Sequence, residues 1–282
     1  MDTELAWGAG TERKRRHLFE DEHAGREAIE FILETLNRYD VPATWGIVGH
    51  LLLDECTPDS HHETERTRLV DPHSNARESP NYYMPEIVEM IDGSETGHEI
   101  AGHSFSHARF GELDRNTAAA EIDEMCEVFD SHGVELSSFI HPYISIDHCD
   151  ILAEHGFTAY SLGVEESAET IKSGLFPFLT GNTRFWGAPP VTPDNDRHGL
   201  TVIPRSRQLS DERWGFLNPR RIRNTIDRGG DGVVHLTAHP HNLLYDPHLK
   251  RTFPRIVEEI SRRRDAGEIS VATFRELASQ FR

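Results

Sequence analysis

The sequence predicts an α/β fold built on a mainly parallel sheet. Two observations carry this. Short apolar runs alternate with amphipathic stripes of helical period, and strands separated by helices pair in parallel. The 282 residues suffice for one sizeable core, and no internal repeat or low-complexity linker divides them, so a single domain over 1–282 is expected.

The elements follow in order. Residues 24–38 set Ile29, Ile32, Leu33 and Leu36 on one stripe, which predicts a helix. Pro42 marks a turn, and 43–49 reads as a buried strand. Residues 54–82 are polar and rich in His, Asp, Glu, Ser and Pro. They predict a long excursion without a core-forming pattern. A helix over 85–91 opens on Pro85. Ile100 and Ala101 end a short buried strand, and Gly102 lets the backbone turn. Residues 115–131 align Ala119, Ile122, Met125, Cys126 and Phe129 on a helical stripe. Strand-like runs follow at 137–141, 157–162, 200–204 and 232–237. A helix near 248–264, a short strand at 268–272 and a helix at 273–281 complete the chain.

Charge narrows the partners. The 48 acids outweigh 29 bases, a net of −19, and such a surface repels nucleic acid and anionic membranes. Lysine occurs only at 14, 172 and 250. Acid excess with arginine in place of lysine suits a high-salt solvent, where screening shrinks repulsion between surface acids. No run of 18 apolar residues is present, so no membrane span is expected. No basic-then-apolar leader opens the chain. Cys56, Cys126 and Cys149 form no C-x-x-C pair, which predicts reduced, packed thiols in a cytoplasmic protein. The composition is silent on oligomeric state.

The stretch Gly97-His98-Glu99-Ile100-Ala101-Gly102-His103-Ser104-Phe105-Ser106-His107 carries the first chemistry. His103 and His107, four apart, fall on one side of the chain. Neutral imidazole is the commonest metal ligand, and two leave positions open for a carboxylate and water. With 18 histidines in the chain, the spacing alone fits two surface histidines in a loop as well.

The stretch resembles the histidine motif of the polysaccharide deacetylase family (NodB homology, carbohydrate esterase 4). The segments 26–52, 113–134, 137–162 and 232–243 resemble that family's first helix and second strand, the helix after the histidines, the third motif and the last motif. The resemblance implies a distorted β/α barrel. It also implies an N-deacetylase of sugars that uses a divalent metal, Zn²⁺ or another first-row ion, on His103, His107 and an acid. Met1-Asp2-Thr3-Glu4 resembles the first motif in its Asp-x-Asp/Glu form. There Asp2 is the catalytic base and Glu4 the metal ligand, although the commoner Asp-Asp form would set the ligand at Thr3, and Asp2 remains an alternative ligand. The family's first strand normally precedes this motif, so the expectation is either a start placed too late or a barrel lacking that strand. The third motif departs from the family: Phe139-Ile140-His141-Pro142-Tyr143 has no arginine to orient the base. His141 is the substitute partner for Asp2, and Tyr143 lies where the family offers a backbone amide to the oxyanion. In the last motif His239 is implied as the acid that protonates the leaving nitrogen, with His235 and His241 as barrel and outer-loop residues or further site groups.

The substrate expected is therefore a carbohydrate or another small amide. Relatives of the fold hydrolyse small amides or ring ureides, and a carbohydrate-binding protein without activity is a third reading, supported by the missing arginine. Trp7, Trp45, Trp186 and Trp214 are sugar-stacking or core candidates.

Overall fold

The strands are short, and the first four of the parallel sheet are buried throughout. A computed structural model describes residues 1–9, 16, 18–58, 61, 64–162, 192–209, 218–227, 230 and 232–281. Its main sheet runs β1 (Asp2–Thr3), β2 (Thr44–Ile47), β3 (Glu99–Gly102), β4 (Ser138–Ile140), β5 (Ala159–Leu162), β7 (Thr201–Pro204) and β6 (Asp194–Asn195). The first six are parallel neighbours, and β6 adds antiparallel to β7. A second ladder joins β8 (Arg207–Gln208) to β9 (Leu236–Thr237). The gap between the ladders is bridged by single bonds. Ser206 N–H donates to His235 C=O at 2.9 Å, and Asp2 N–H donates to Ala238 C=O at 2.9 Å. The wall thus curls round until β1 lies beside the 236–238 segment, a distorted relative of the closed barrel.

The expected gap at the first strand is filled. Asp2 and Thr3 form β1 themselves, in register with Gly46 and Ile47. The terminal ammonium of Met1 donates to Thr44 C=O at 2.5 Å.

Helices Ala24–Arg38 and Arg115–Ser131 fall on their predicted bounds. The first buries its stripe, Ile29, Ile32, Leu33 and Leu36; the second buries Ile122, Met125 and Phe129 and leaves Ala119 and Cys126 half-buried. The terminal helices Pro247–Asp265 and Phe274–Gln280 are also present.

Three expectations are corrected. Residues 268–272 make no ladder; they lead into a capping box, where Thr273 and Glu276 satisfy each other's backbone N–H. Gly102 is not the turn: a Cβ there would meet Met125 Sδ at 2.6 Å, so the residue is a packing constraint, and the backbone turns at Ser104, φ 59°. The excursion is not featureless. Helix Glu65–Val70 is capped by Thr64, Glu55 bridges Asn75, and Cys56, Asp71 and Tyr83 are buried. No helix among the described residues is long and apolar enough to cross a membrane.

Candidate active site

The site gathers at the C-terminal ends of the strands, where loops are free to carry chemistry. β1 ends at Thr3 and delivers Glu4; β3 ends at Gly102 and delivers His103 and His107; β9 ends at Thr237 and delivers His239 and His241.

Glu4 is the hub. Its Oε2 lies 2.5 Å from His107 Nε2 and 3.6 Å from His103 Nε2. Its Oε1 lies 3.5 Å from His239 Nε2 and 3.8 Å from His241 Nε2. Burial opposes ionisation of Glu4, but the surrounding imidazoles, His107 foremost, outweigh it and hold the carboxyl well below its usual range. Gly8 makes room: a Cβ there would lie 1.9 Å from the Glu4 carboxyl carbon.

The histidine loop is held by its neighbours. His103 Nδ1–H donates to Ile140 C=O at 2.6 Å. In a neutral ring this leaves the Nε2 lone pair facing Glu4. Ser104 and His107 are both left-handed, φ 59° and 60°, a conformation that costs non-glycine residues energy and persists only when the surroundings enforce it. Ser104 Oγ accepts from Ala108 N–H at 3.1 Å. Ser106 donates twice to the buried carboxylate of Glu121, through N–H at 2.9 Å and through its hydroxyl.

Asp2 stands beside this group. Arg205 Nη2 donates to Asp2 Oδ2 at 3.0 Å, and His239 Nε2 is 3.7 Å from the same oxygen. Burial would raise the Asp2 pKa; the guanidinium and His239 overcome it and keep the carboxyl ionised below its ordinary range. Glu4, His103 and His107 bring one ligand atom each within 4.8 Å of one another. Two imidazoles and a carboxylate fit a divalent ion and leave a coordination position open. Of the two acids left open by sequence, Glu4 faces the histidine pair and Asp2 faces the arginine.

Two predicted residues sit elsewhere. His141 does not partner Asp2. It is caged by Phe110, Phe139 and Tyr160, with Nε2 3.4 Å from Asp147 C=O. His235 lies edge-on to Phe274, ring centroids 5.0 Å apart. Tyr143 borders the site, its ring 4.5 Å from that of His107 and under the Arg109 guanidinium. His241, offered as an outer-loop residue, is 1 % exposed. Trp7 and Trp45 are core residues; Trp186 and Trp214 lie outside the described residues. Sequence reasoning missed Arg205, which supplies the positive charge absent from 139–143. Its only signal was an arginine following the apolar run 200–204.

The family model for polysaccharide deacetylases matches residues 11–160, more than half of the chain. The chain belongs to the polysaccharide deacetylase family. The match includes His103, His107, His141 and Tyr143; the geometry brings in Asp2, Glu4, Arg205 and His239 from outside it. This is a family of hydrolases that cleave N-acetyl amide bonds of sugars. A provisionally assigned polysaccharide deacetylase from Mycobacterium smegmatis shares the fold, with TM-score 0.65, 15% identity, 99% of this chain and 87% of that one covered. A family 4 acetyl xylan esterase from Clostridium thermocellum, in complex with a cobalt ion, aligns with TM-score 0.46, 16% identity, and coverage of 90% and 85%. A family 4 pseudoenzyme from Bacillus anthracis aligns with TM-score 0.49, 14% identity, and coverage of 100% and 65%. Among curated proteins no sequence matches this chain.

Proposed function

We propose that this polysaccharide deacetylase is a metal-dependent N-deacetylase acting on an N-acetylated sugar or glycan in a salt-rich cytoplasm. One observation carries the reading: Glu4, His103 and His107 converge within 4.8 Å, directly beside an aspartate held by an arginine at 3.0 Å.

A divalent ion, Zn²⁺ by preference for this nitrogen and oxygen set, would be held by Glu4, His103 and His107, and would polarise the amide carbonyl and acidify bound water. Asp2 accepts the proton of the attacking water, and its ionised state is secured by Arg205. Arg205 also fixes the carboxylate's orientation. His239, flanked by Asp2 and Glu4, gives a proton to the departing nitrogen. Gln208 lies 3.4 Å from His239 Nδ1 and steadies the ring. Tyr143 closes the site on the His107 side, beside the backbone where the oxyanion is expected. The non-catalytic reading drew support from the missing arginine, and Arg205 beside Asp2 withdraws that support.

The test is acetate release from N-acetylglucosamine oligomers, with metal content measured in parallel. Wild type should release acetate, and the His103→Ala/His107→Ala variant should lose that activity and about one equivalent of metal. Equal rates in both proteins would overturn the assignment. Sugar binding without turnover in the metal-loaded wild type would replace it with the binding-protein reading.

A further inference from the structure

A second group of ligand-type side chains lies outside the active site, built from the turn after β2 and from the excursion. His50, Cys56, His61 and Asp71 bring one donor atom each within 4.8 Å of one another. Asp71 Oδ2 is 2.9 Å from His50 Nε2, 3.0 Å from Cys56 Sγ and 3.4 Å from His61 Nε2. His61 Nε2 is 3.2 Å from both His50 Nε2 and Cys56 Sγ. We infer that these four residues form a closed, structural site for a second divalent metal ion, distinct from the ion of the active site.

Geometry supports this first. A tetrahedral ion with bonds of about 2.0–2.3 Å sets its ligand atoms about 3.3–3.6 Å apart. The five separations above, 2.9 to 3.4 Å, are those of such a tetrahedron slightly contracted. Hydrogen bonding alone accounts for the cluster poorly. His50, His61 and Cys56 all crowd one carboxylate oxygen, while two imidazole nitrogens face each other at 3.2 Å. A central cation accepts a lone pair from each of the four at once.

Charge balance supports it next. A thiolate, a carboxylate and two neutral imidazoles cancel a divalent ion, so the assembly is neutral, as burial requires. The Asp71 and His50 side chains are 0% exposed. The active-site set of one carboxylate and two imidazoles leaves a net positive charge and an open position. Four protein ligands mark the second site as structural, and the sulfur, nitrogen and oxygen mixture suits Zn²⁺.

The shell around the Asp71 carboxylate is ordered as at metal sites. Asp71 Oδ1 accepts from Tyr83 O–H at 2.5 Å and from His73 N–H at 2.9 Å, which turns Oδ2 inward. The His50 ring lies 4.3 Å from Trp7 and 5.2 Å from Phe105. The His50 N–H donates to Phe105 C=O at 2.9 Å. Phe105 sits between the two active-site histidines, so the second ion would tie the excursion to the catalytic loop.

Cobalt separates the two sites, since only the second offers sulfur. Wild type loaded with Co²⁺ should show a thiolate-to-cobalt charge-transfer band in the near ultraviolet. The His103→Ala/His107→Ala variant should keep the band; Cys56→Ser should lose it along with about one equivalent of bound metal. Folding of the variants, followed by circular dichroism, bears only on them. The wild-type spectrum stands by itself: a cobalt-loaded wild type with no such band overturns the second site, whatever the active site does. A band that vanishes in the His103→Ala/His107→Ala variant and persists in Cys56→Ser overturns it as well.

Discussion

At the scale of single residues, the site depends on carboxylates kept charged while buried. Asp2 is the sharpest case, because its ionisation rests on Arg205 and His239. Asp2→Asn keeps the shape and removes the proton acceptor, so kcat should fall about 10²–10⁴-fold; full retained activity would place the base elsewhere. Arg205→Met leaves the acceptor but removes the charge that lowers its pKa. The acid limb of kcat/KM should then move to higher pH, which a pH–rate profile reads directly. Gly8→Ala tests a purely steric constraint. The new methyl would occupy the space of the Glu4 carboxyl, and metal affinity should weaken about 10–100-fold, as when a ligand's support is disturbed. A chelator titration measures it. The Asp2–Arg205 contact joins residues 203 positions apart. No local pattern in the sequence can announce such a pair; only the curl of the wall brings β1 and the end of β7 together.

At the scale of elements, the legible parts were those governed by period. Ala24–Arg38 and Arg115–Ser131 could be bounded because their buried stripes repeat at helical spacing and their neighbours cap or interrupt them. The short strand ends were legible in kind, since buried apolar runs separated by helices leave little choice. The excursion was illegible because its order comes from four polar side chains meeting, not from a periodic apolar face. The strained histidine loop was half legible: its two histidines showed, its support did not. That support is Glu121, reaching from helix Arg115–Ser131 to Ser106. Burial pushes the Glu121 carboxyl up, and the Ser106 bonds oppose that rise. Ser106→Ala removes one of those bonds and leaves a buried acceptor undersatisfied. Thermal unfolding should show a loss of about 1–3 kcal/mol. Activity should fall with it, because Ser104 and His107 hold left-handed conformations that the loop alone would relax. An unchanged melting temperature would show that the loop is supported elsewhere.

At the scale of the whole molecule, the buried His141 and the half-buried His235 set how the fold meets acid. Burial pushes His141 from 6.5 down to about 3. Burial, with Arg205 adding to it, brings His235 from 6.5 down to about 3. In the folded state both rings are neutral where the unfolded chain would take up protons. Between about pH 6.5 and 3 the unfolded state therefore binds more protons, and acid favours unfolding. The stability these rings contribute is complete above pH 6.5 and is lost progressively as pH falls toward 3. The buried carboxylates act in a lower window. Asp2 and Glu4 have depressed pKa values, so their contribution is present above the ordinary carboxylate range and fades as pH drops through the depressed values. The histidine contribution is thus lost first, and it can be isolated by difference. His141→Gln keeps a donor for Asp147 C=O and cannot titrate. Urea unfolding at fixed salt, from pH 7.5 to 4.5, should show wild type losing stability more steeply than the variant. One proton's difference in uptake corresponds to about 1.4 kcal/mol per pH unit. Fixed salt matters, because a net charge of −19 makes the compact state itself sensitive to screening. Parallel slopes for wild type and variant would mean that His141 is charged or solvated in the folded chain, and the aromatic cage around it would then need another explanation.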